Sequence, residues 1–208
     1  MKSIINAIKL FYYNHFKHVK IITGVDCEIK SLKLSVCGKN NTIHLGDYVK
    51  LENVKIKIYG DDNEIVIGNN NTIYGISFAI EDNKNSINVG RNVYIGTGSL
   101  LAALEGSKII IGQDCMIAGP AEIRTSDSHS LVNVNGDRLN YAQDICIGKH
   151  VWIGTGCILL KGSNIPSDCV IAARSVISST SGWKPNSLYG GVPARLIKSD
   201  INWNKNRF

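Results

Sequence analysis

Residues 145–177 read ICIGKHVWIGTGCILLKGSNIPSDCVIAARSVI, and one spacing runs through them without interruption. An aliphatic side chain recurs every six positions, at Ile147, Ile153, Leu159, Ile165, Ile171 and Ile177. Four places after most of these stands a small residue or cysteine, as at Val151, Cys157, Ser163, Cys169 and Ser175. Six is neither the helical period nor a plain strand alternation, but it fits a short strand of alternating side chains followed by a bend. Three such units close a triangular coil. Coils stacked strand on strand, about 4.8 Å apart, satisfy their backbone groups while the aliphatic side chains line an interior column. One coil alone cannot bury its apolar face, so only the stack is stable.

The same pattern occurs earlier, in IGNNNT at Ile67, VGRNVY at Val89, IGTGSL at Ile95, IGQDCM at Ile111 and IAGPAE at Ile117. Between Val25 and Ile65 the register is looser, with LGDYVK at Leu45 the clearest match, which predicts irregular coils there. Composition agrees with a repeat architecture: 44% apolar residues but only 7% aromatics, with 20 glycines, describe many similar aliphatic side chains and frequent tight bends. A chain of 208 residues needs one main domain. We divide it into a capping segment at 1–22, a β-helix at 23–190 with an inserted loop at 124–145, and a tail at 191–208. Ile4, Ile5, Ile8, Phe11 and Tyr12 stand near helical spacing, so the first segment is expected to be a short helix. It has neither a long apolar run nor a small-residue cleavage site, and membrane contact is expected to be peripheral at most.

A net charge of +6 suits an anionic ligand, but no Lys/Arg cluster alternates with aromatics, so nucleic acid is not an expected partner. The six cysteines form no CxxC pair and no dense secreted-type framework. Cys115, Cys157 and Cys169 fall at the small buried position of the repeat and read as core thiols, which implies a reducing compartment, the cytoplasm.

In a repeat protein the interruption is where function is expected, because an insertion leaves the stack and projects from one face. The largest lies between Ile123 and Ile145 and carries His129 beside Asp127 in RTSDSHSLVNVNGDRLNYAQD. Histidine is the side chain suited to take a proton near neutral pH; in a polar loop it can equally be merely solvated. The other histidines lie in the N-terminal segment, His15 and His18, or at ordinary repeat positions, His44 and His150.

TSDSHSL, a variable loop and then DICIGKHVWIGTGCILLKG resemble the hexapeptide-repeat acyltransferases around their catalytic histidine and the coil after it. The likeness covers roughly residues 60 to 198. It implies an all-β, left-handed parallel β-helix with a short N-terminal helix, one protruding loop and a short C-terminal helical segment, assembled as a homotrimer with active sites between subunits. It further implies acetyl-coenzyme A as cosubstrate, a sugar or polysaccharide acceptor, no metal, and His129 as general base. Asp127 either orients the imidazole or turns the loop through an Asx-type hydrogen bond. Trp152 points outward, either as a platform for the sugar or acyl group or as a subunit contact. Residues 18 apart are equivalent, so Thr155 lies below Ala173; with Gly154 and Ala172 they form a small-residue corner that a pantetheine arm can approach. LYGGVPARLIKSD resembles the family's terminal segment, whose basic residues meet coenzyme phosphates; those positions fall here on Arg195 and Lys198, for which the alternative is an exposed helical face. Ser178 matches the hydroxyl residue near the end of the last coil, yet Ser179 stands where the family has lysine and Arg174 replaces a small residue. Within the family, the loop and the compact N-terminus look most like O-acetyltransferases acting on capsular polysaccharides such as polysialic acid. A small sugar, amino sugar or antibiotic is the alternative acceptor. Two other classes stay open: a zinc-dependent β-helix hydratase, which needs three placed histidines where only His129 and His150 are plausible neighbours, and a non-catalytic binding solenoid, which needs arrays of identical outward residues where the outward positions here are mixed.

Overall fold

The computed structural model of the protein describes residues 19–178 and 180–206. The chain winds as a parallel β-helix whose coils each lay one strand on each of three faces. Three parallel sheets result: sheet A begins at Val19–Thr23, sheet B at Glu28–Lys30 and sheet C at Lys33–Cys37. Seven complete coils are stacked, and Leu188–Gly191 adds an eighth strand to sheet B.

Two coil lengths build the stack. In its C-terminal part the repeat is 18 residues, with Cys146 beside Asn164, Trp152 beside Val170 and Ile158 beside Val176. In its N-terminal part it is 22, with Thr42 beside Glu64, Lys50 beside Thr72 and Lys33 beside Lys55. The difference sits on sheet C and the corner after it, where the early coils carry five-residue strands such as Lys55–Tyr59 and Ser77–Glu81 and the late coils only Ile158–Leu159 and Val176–Ile177. The irregular coils expected between Val25 and Ile65 are therefore regular, on a longer period. Lys55–Tyr59 and Ser77–Glu81 bury two alternate side chains each, Ile56 with Ile58 and Phe78 with Ile80, and a turn then returns the chain to sheet A.

Isoleucine, leucine and valine fill the interior, with Phe78 the bulkiest fully buried side chain. Each such residue contributes about 1.5–3 kcal/mol on burial. Polar ladders close the corners. Between sheets C and A the buried Asn41, Asn63 and Asn85 hand a side-chain carbonyl from coil to coil, to the backbone N–H of Asn63 (3.0 Å), Asn85 (2.8 Å) and Ser107 (3.0 Å). The ladder ends when Ser107 Oγ donates to Thr125 Oγ1 at 2.6 Å. Between sheets A and B, Asn70, Asn92, Asp114, His150, Asp168 and Asn186 all adopt left-handed backbone, which Asn and Asp tolerate.

The termini differ from expectation. Val19–Thr23 is the first strand of sheet A, so the β-helix begins inside the segment assigned to the cap; residues 1–18, with the expected helix, lie outside the described residues. No helix follows residue 190 among the described residues. Ala194–Lys198 instead turns back antiparallel on Leu188–Gly191, and residues 199–206 run down the A/B corner. That strap is fastened by Ile201 N–H to Asn186 O, by Trp203 stacked on His150 at 4.4 Å and by Lys205 Nζ to Asn92 O. No helix among the described residues is long and apolar enough to cross a membrane.

Candidate active site

The inserted loop leaves the stack where the asparagine ladder ends and the coil length changes. Glu122–Arg124 is its last strand, Thr125 still points inward, and the chain rejoins sheet A at Ile145–Ile147. Neighbouring strands on sheet B therefore stand 36 residues apart across the insertion, at Met116 and Trp152.

His129 is exposed, and among the described residues its imidazole takes no hydrogen-bond partner, so both ring nitrogens are open to a substrate. Its backbone is held: its carbonyl accepts from Asn140 Nδ2 at 2.8 Å. Asp127 does not serve the ring in this structure. Its carboxylate accepts from Lys161 Nζ at 2.5 Å and Asn140 Nδ2 at 2.7 Å, and these bonds, Lys161 foremost, hold it below the usual carboxylate range. The turn that Asp127 was a candidate to make is closed by Ser126, whose Oγ accepts from Ser128 N–H. A second pair ties the loop to an earlier coil. Glu105 accepts from Arg138 Nη2 (2.8 Å) and Ser126 Oγ (2.5 Å), which lowers its proton affinity.

Trp152 faces outward on sheet B, about two-fifths exposed, with the Trp203 ring tilted against it at 5.9 Å. Part of its outward face is thus covered by the chain's own strap. Thr155 and Ala173 are aligned as expected, since Arg174 N–H donates to Thr155 O. Among the described residues no acceptor meets the N–H of either, whereas Gly154 and Ala172 spend theirs on Ile171 and Tyr189. The corner ladder is therefore Thr155 and Ala173, with Gly154 and Ala172 as its frame. Gly154 has a structural duty of its own, because a Cβ there would meet Ala173 N at 2.6 Å. Ser178 and Arg195 are exposed, Arg195 donating to Ala194 O, and Lys198 lies beside Leu188 in the terminal hairpin.

Within one chain these groups do not converge. The loop is rooted at the corner between sheets C and A, the Thr155–Ala173 corner lies between B and C, and Trp152 stands on sheet B, across the prism from the loop's roots. Sequence reasoning missed Asn140, Lys161, Arg138 and Glu105. Each is an ordinary polar residue whose partner lies between 11 and 34 residues away, and no local pattern marks such pairs. No group of three His, Cys, Asp or Glu among the described residues is disposed to hold a metal ion.

A parallel β-helix with one histidine-bearing loop and an amide ladder at a corner is the layout of a coenzyme-dependent acyl-transfer enzyme. No protein-family model matches the chain. The crystallographically analysed polysialic acid O-acetyltransferase OatWY superimposes with a TM-score of 0.87 at 30% identity, covering 92% of this chain and 90% of that one. The polysialic acid O-acetyltransferase of Neisseria meningitidis is 32% identical over 115 residues, 55% of this chain and 53% of the relative. The polysialic acid-specific acetyltransferase NeuO superimposes with a TM-score of 0.57 at 24% identity, covering 91% of this chain and 90% of that one, which shows the shared fold. The chain thus spans about half the length of the meningococcal relative and less of others, such as the 31% matched in an Escherichia coli enzyme of the same name. The chain belongs to the hexapeptide-repeat acyltransferases, the left-handed parallel β-helix family. Within that family its likeness is to the polysialic acid O-acetyltransferases.

Proposed function

We propose that the protein transfers an acetyl group from acetyl-coenzyme A to a hydroxyl of a bacterial surface polysaccharide, a sialic acid-containing capsular polymer being the leading acceptor. The observation that carries this reading is an open imidazole, His129, on a loop tied to the stack at both ends, in a chain that superimposes on a polysialic acid O-acetyltransferase over nine-tenths of its length. His129 takes the proton from the acceptor hydroxyl as that oxygen attacks the thioester carbonyl. A backbone N–H stabilises the tetrahedral oxyanion, and the same imidazole then protonates the departing thiolate. The open N–H groups of Thr155 and Ala173 suit the amides of the pantetheine arm, with Arg195 and Lys198 reserved for the phosphates.

Separation of the loop from Trp152 and the Thr155–Ala173 corner supports a site built between copies, in a homotrimer. Leu131, Val132, Val134, Leu139 and Tyr141 of the loop are all more than half exposed, an apolar surface that a neighbouring copy would cover. An acidic acceptor is supported by sheet C, the face that leads into the loop. There Lys33, Lys55 and Lys57 are exposed on adjacent coils, and none is paired with a carboxylate among the described residues. Free, partly buried thiols suit a reducing compartment, the cytoplasm.

The test is an acetyl-coenzyme A consumption assay against capsular polymers, neutral oligosaccharides, amino sugars and antibiotics, with sedimentation to determine assembly mass. The reading expects turnover with acidic polymers and a particle three times the 22.7 kDa chain. Turnover with amino sugars or antibiotics alone would overturn the acceptor assignment.

A further inference from the structure

We propose that Asn140 is the positioning residue for the transfer reaction: its side-chain amide ties together the backbone of His129, the backbone of Leu131 and the carboxylate of Asp127, and so fixes where the imidazole stands. The inference rests on the reading of His129 as the base.

In a loop that is mostly exposed, Asn140 is buried, at 7% exposure. Its Nδ2 donates to His129 O at 2.8 Å and to Asp127 Oδ2 at 2.7 Å, while its Oδ1 accepts from Leu131 N–H at 2.7 Å. Arg138 Nε makes a longer second contact to Oδ1 at 3.5 Å, so both amide protons and both carbonyl lone pairs are used. The orientation of the amide is unambiguous, because the flipped group would set NH2 against the Leu131 N–H and its oxygen against a carbonyl and a carboxylate. The two backbone bonds fall on the carbonyl of residue 129 itself and on the N–H of residue 131, so they pin the backbone at and just after the base, while the Asp127 carboxylate holds the amide from the other side.

The clasp is itself anchored to the β-helix. Lys161, at the end of a sheet C strand on the next coil, donates to Asp127 Oδ2 at 2.5 Å and to Asn140 O at 3.0 Å. A chain of contacts thus runs from a rigid coil through Lys161 and Asn140 to the backbone of His129, and among the described residues no side chain is bonded to the imidazole. Holding a base in place matters because a displacement of about 1 Å can cost about a hundredfold in rate. Asn140 touches no reacting atom and acts only through His129.

The test uses the full chain with acetyl-coenzyme A and the acceptor found active in the panel, assayed well below each variant's Tm. Asn140→Ala is expected to lower kcat by about 10- to 100-fold while KM for acetyl-coenzyme A stays within about twofold. Asn140→Asp keeps the volume and an acceptor for Leu131 but removes the donor to His129 O, and it is expected to lose kcat comparably. Both should fold, because the loop stands outside the stacked coils, and circular dichroism with a melting curve checks this. A role in stability alone lowers Tm and leaves kcat intact. Unchanged kcat in either folded variant, or a loss confined to KM, overturns the proposal. Its failure is separable from that of the base reading, since His129→Ala that retains turnover sinks the latter, whereas an inert His129→Ala beside a normal Asn140→Ala sinks only the clasp.

Discussion

Replacing Lys161 with methionine tests how the inserted loop that carries His129 is fastened. Methionine keeps most of the aliphatic stem and removes the ammonium, which makes two bonds, to Asp127 Oδ2 at 2.5 Å and to Asn140 O at 3.0 Å. Lys161 is largely covered, at 18% side-chain exposure, while Asp127 is 44% exposed, so the ion pair is substantially screened by water. Exposed pairs contribute about 0.2–1 kcal/mol. A hydrogen bond from a charged donor adds about 1 kcal/mol net once screening is allowed for. The loop is therefore expected to lose about 1–2 kcal/mol, equivalent to about a 5- to 30-fold rise in its open population. The interior side chains do not touch this contact, so global Tm should move little. Hydrogen–deuterium exchange with peptide resolution reads the effect: peptides covering 126–144 should exchange about 5- to 30-fold faster, while those covering 145–177 should not change. Equal exchange in loop peptides of the variant and the parent protein would refute the view that Lys161 fastens the loop.

Three further outcomes follow from the same structure. Asp127 and Glu105 both have lowered proton affinity in the fold, so the stability they give the loop is present above the ordinary carboxylate range and lost as pH falls through their folded values; protection of 126–144, corrected for intrinsic rate, should be flat from pH 7 to about 5 and collapse below about 4. Burial pushes the Cys115 thiol up to about 11 and raises Cys157 and Cys169, so iodoacetamide at pH 8 should label the exposed Cys37 rapidly and those three only after unfolding, as mass spectrometry of the alkylated peptides will show. Phe78→Ala empties the bulkiest interior position, between Ile56 and Leu101 on neighbouring coils, and should cost about 3–5 kcal/mol in urea unfolding.

The C-terminal half of the fold was legible because its coils obey the simplest rule: two-residue strands keep Ile147 to Ile177 six apart and make residues 18 apart equivalent. The N-terminal half follows a longer rule that a search for sixes passes over. Gly46, Gly68, Gly90 and Gly112 recur every 22 residues, as do Asn41, Asn63 and Asn85, each marking one corner of a coil. Those spacings were visible, and their meaning depends on knowing that one face can lengthen to five residues while the others stay short. The site divides in the same way. His129 was singled out as a candidate because an insertion interrupts a repeat, and the alignment of Thr155 with Ala173 was legible because coil geometry dictates it. Asn140 and Lys161 were not found, because the bonds that make them matter join a loop to itself and to the next coil, and tertiary proximity of this kind leaves no trace in local pattern. The C-terminal tail was misjudged for a related reason: LYGGVPARLIKSD has no alternation strong enough to announce a hairpin, and Trp203 is buried through tertiary contacts, stacking on His150, donating to its carbonyl and lying against Trp152.

Central to this account is an exposed imidazole acting as base beside a bound thioester. Steady-state turnover of His129→Ala, with acetyl-coenzyme A binding measured in parallel by calorimetry, addresses it most directly. Loss of at least about a hundredfold in kcat with nearly unchanged coenzyme affinity is the expected result. Turnover close to that of the parent protein, in a variant that still folds and binds the coenzyme, would contradict it.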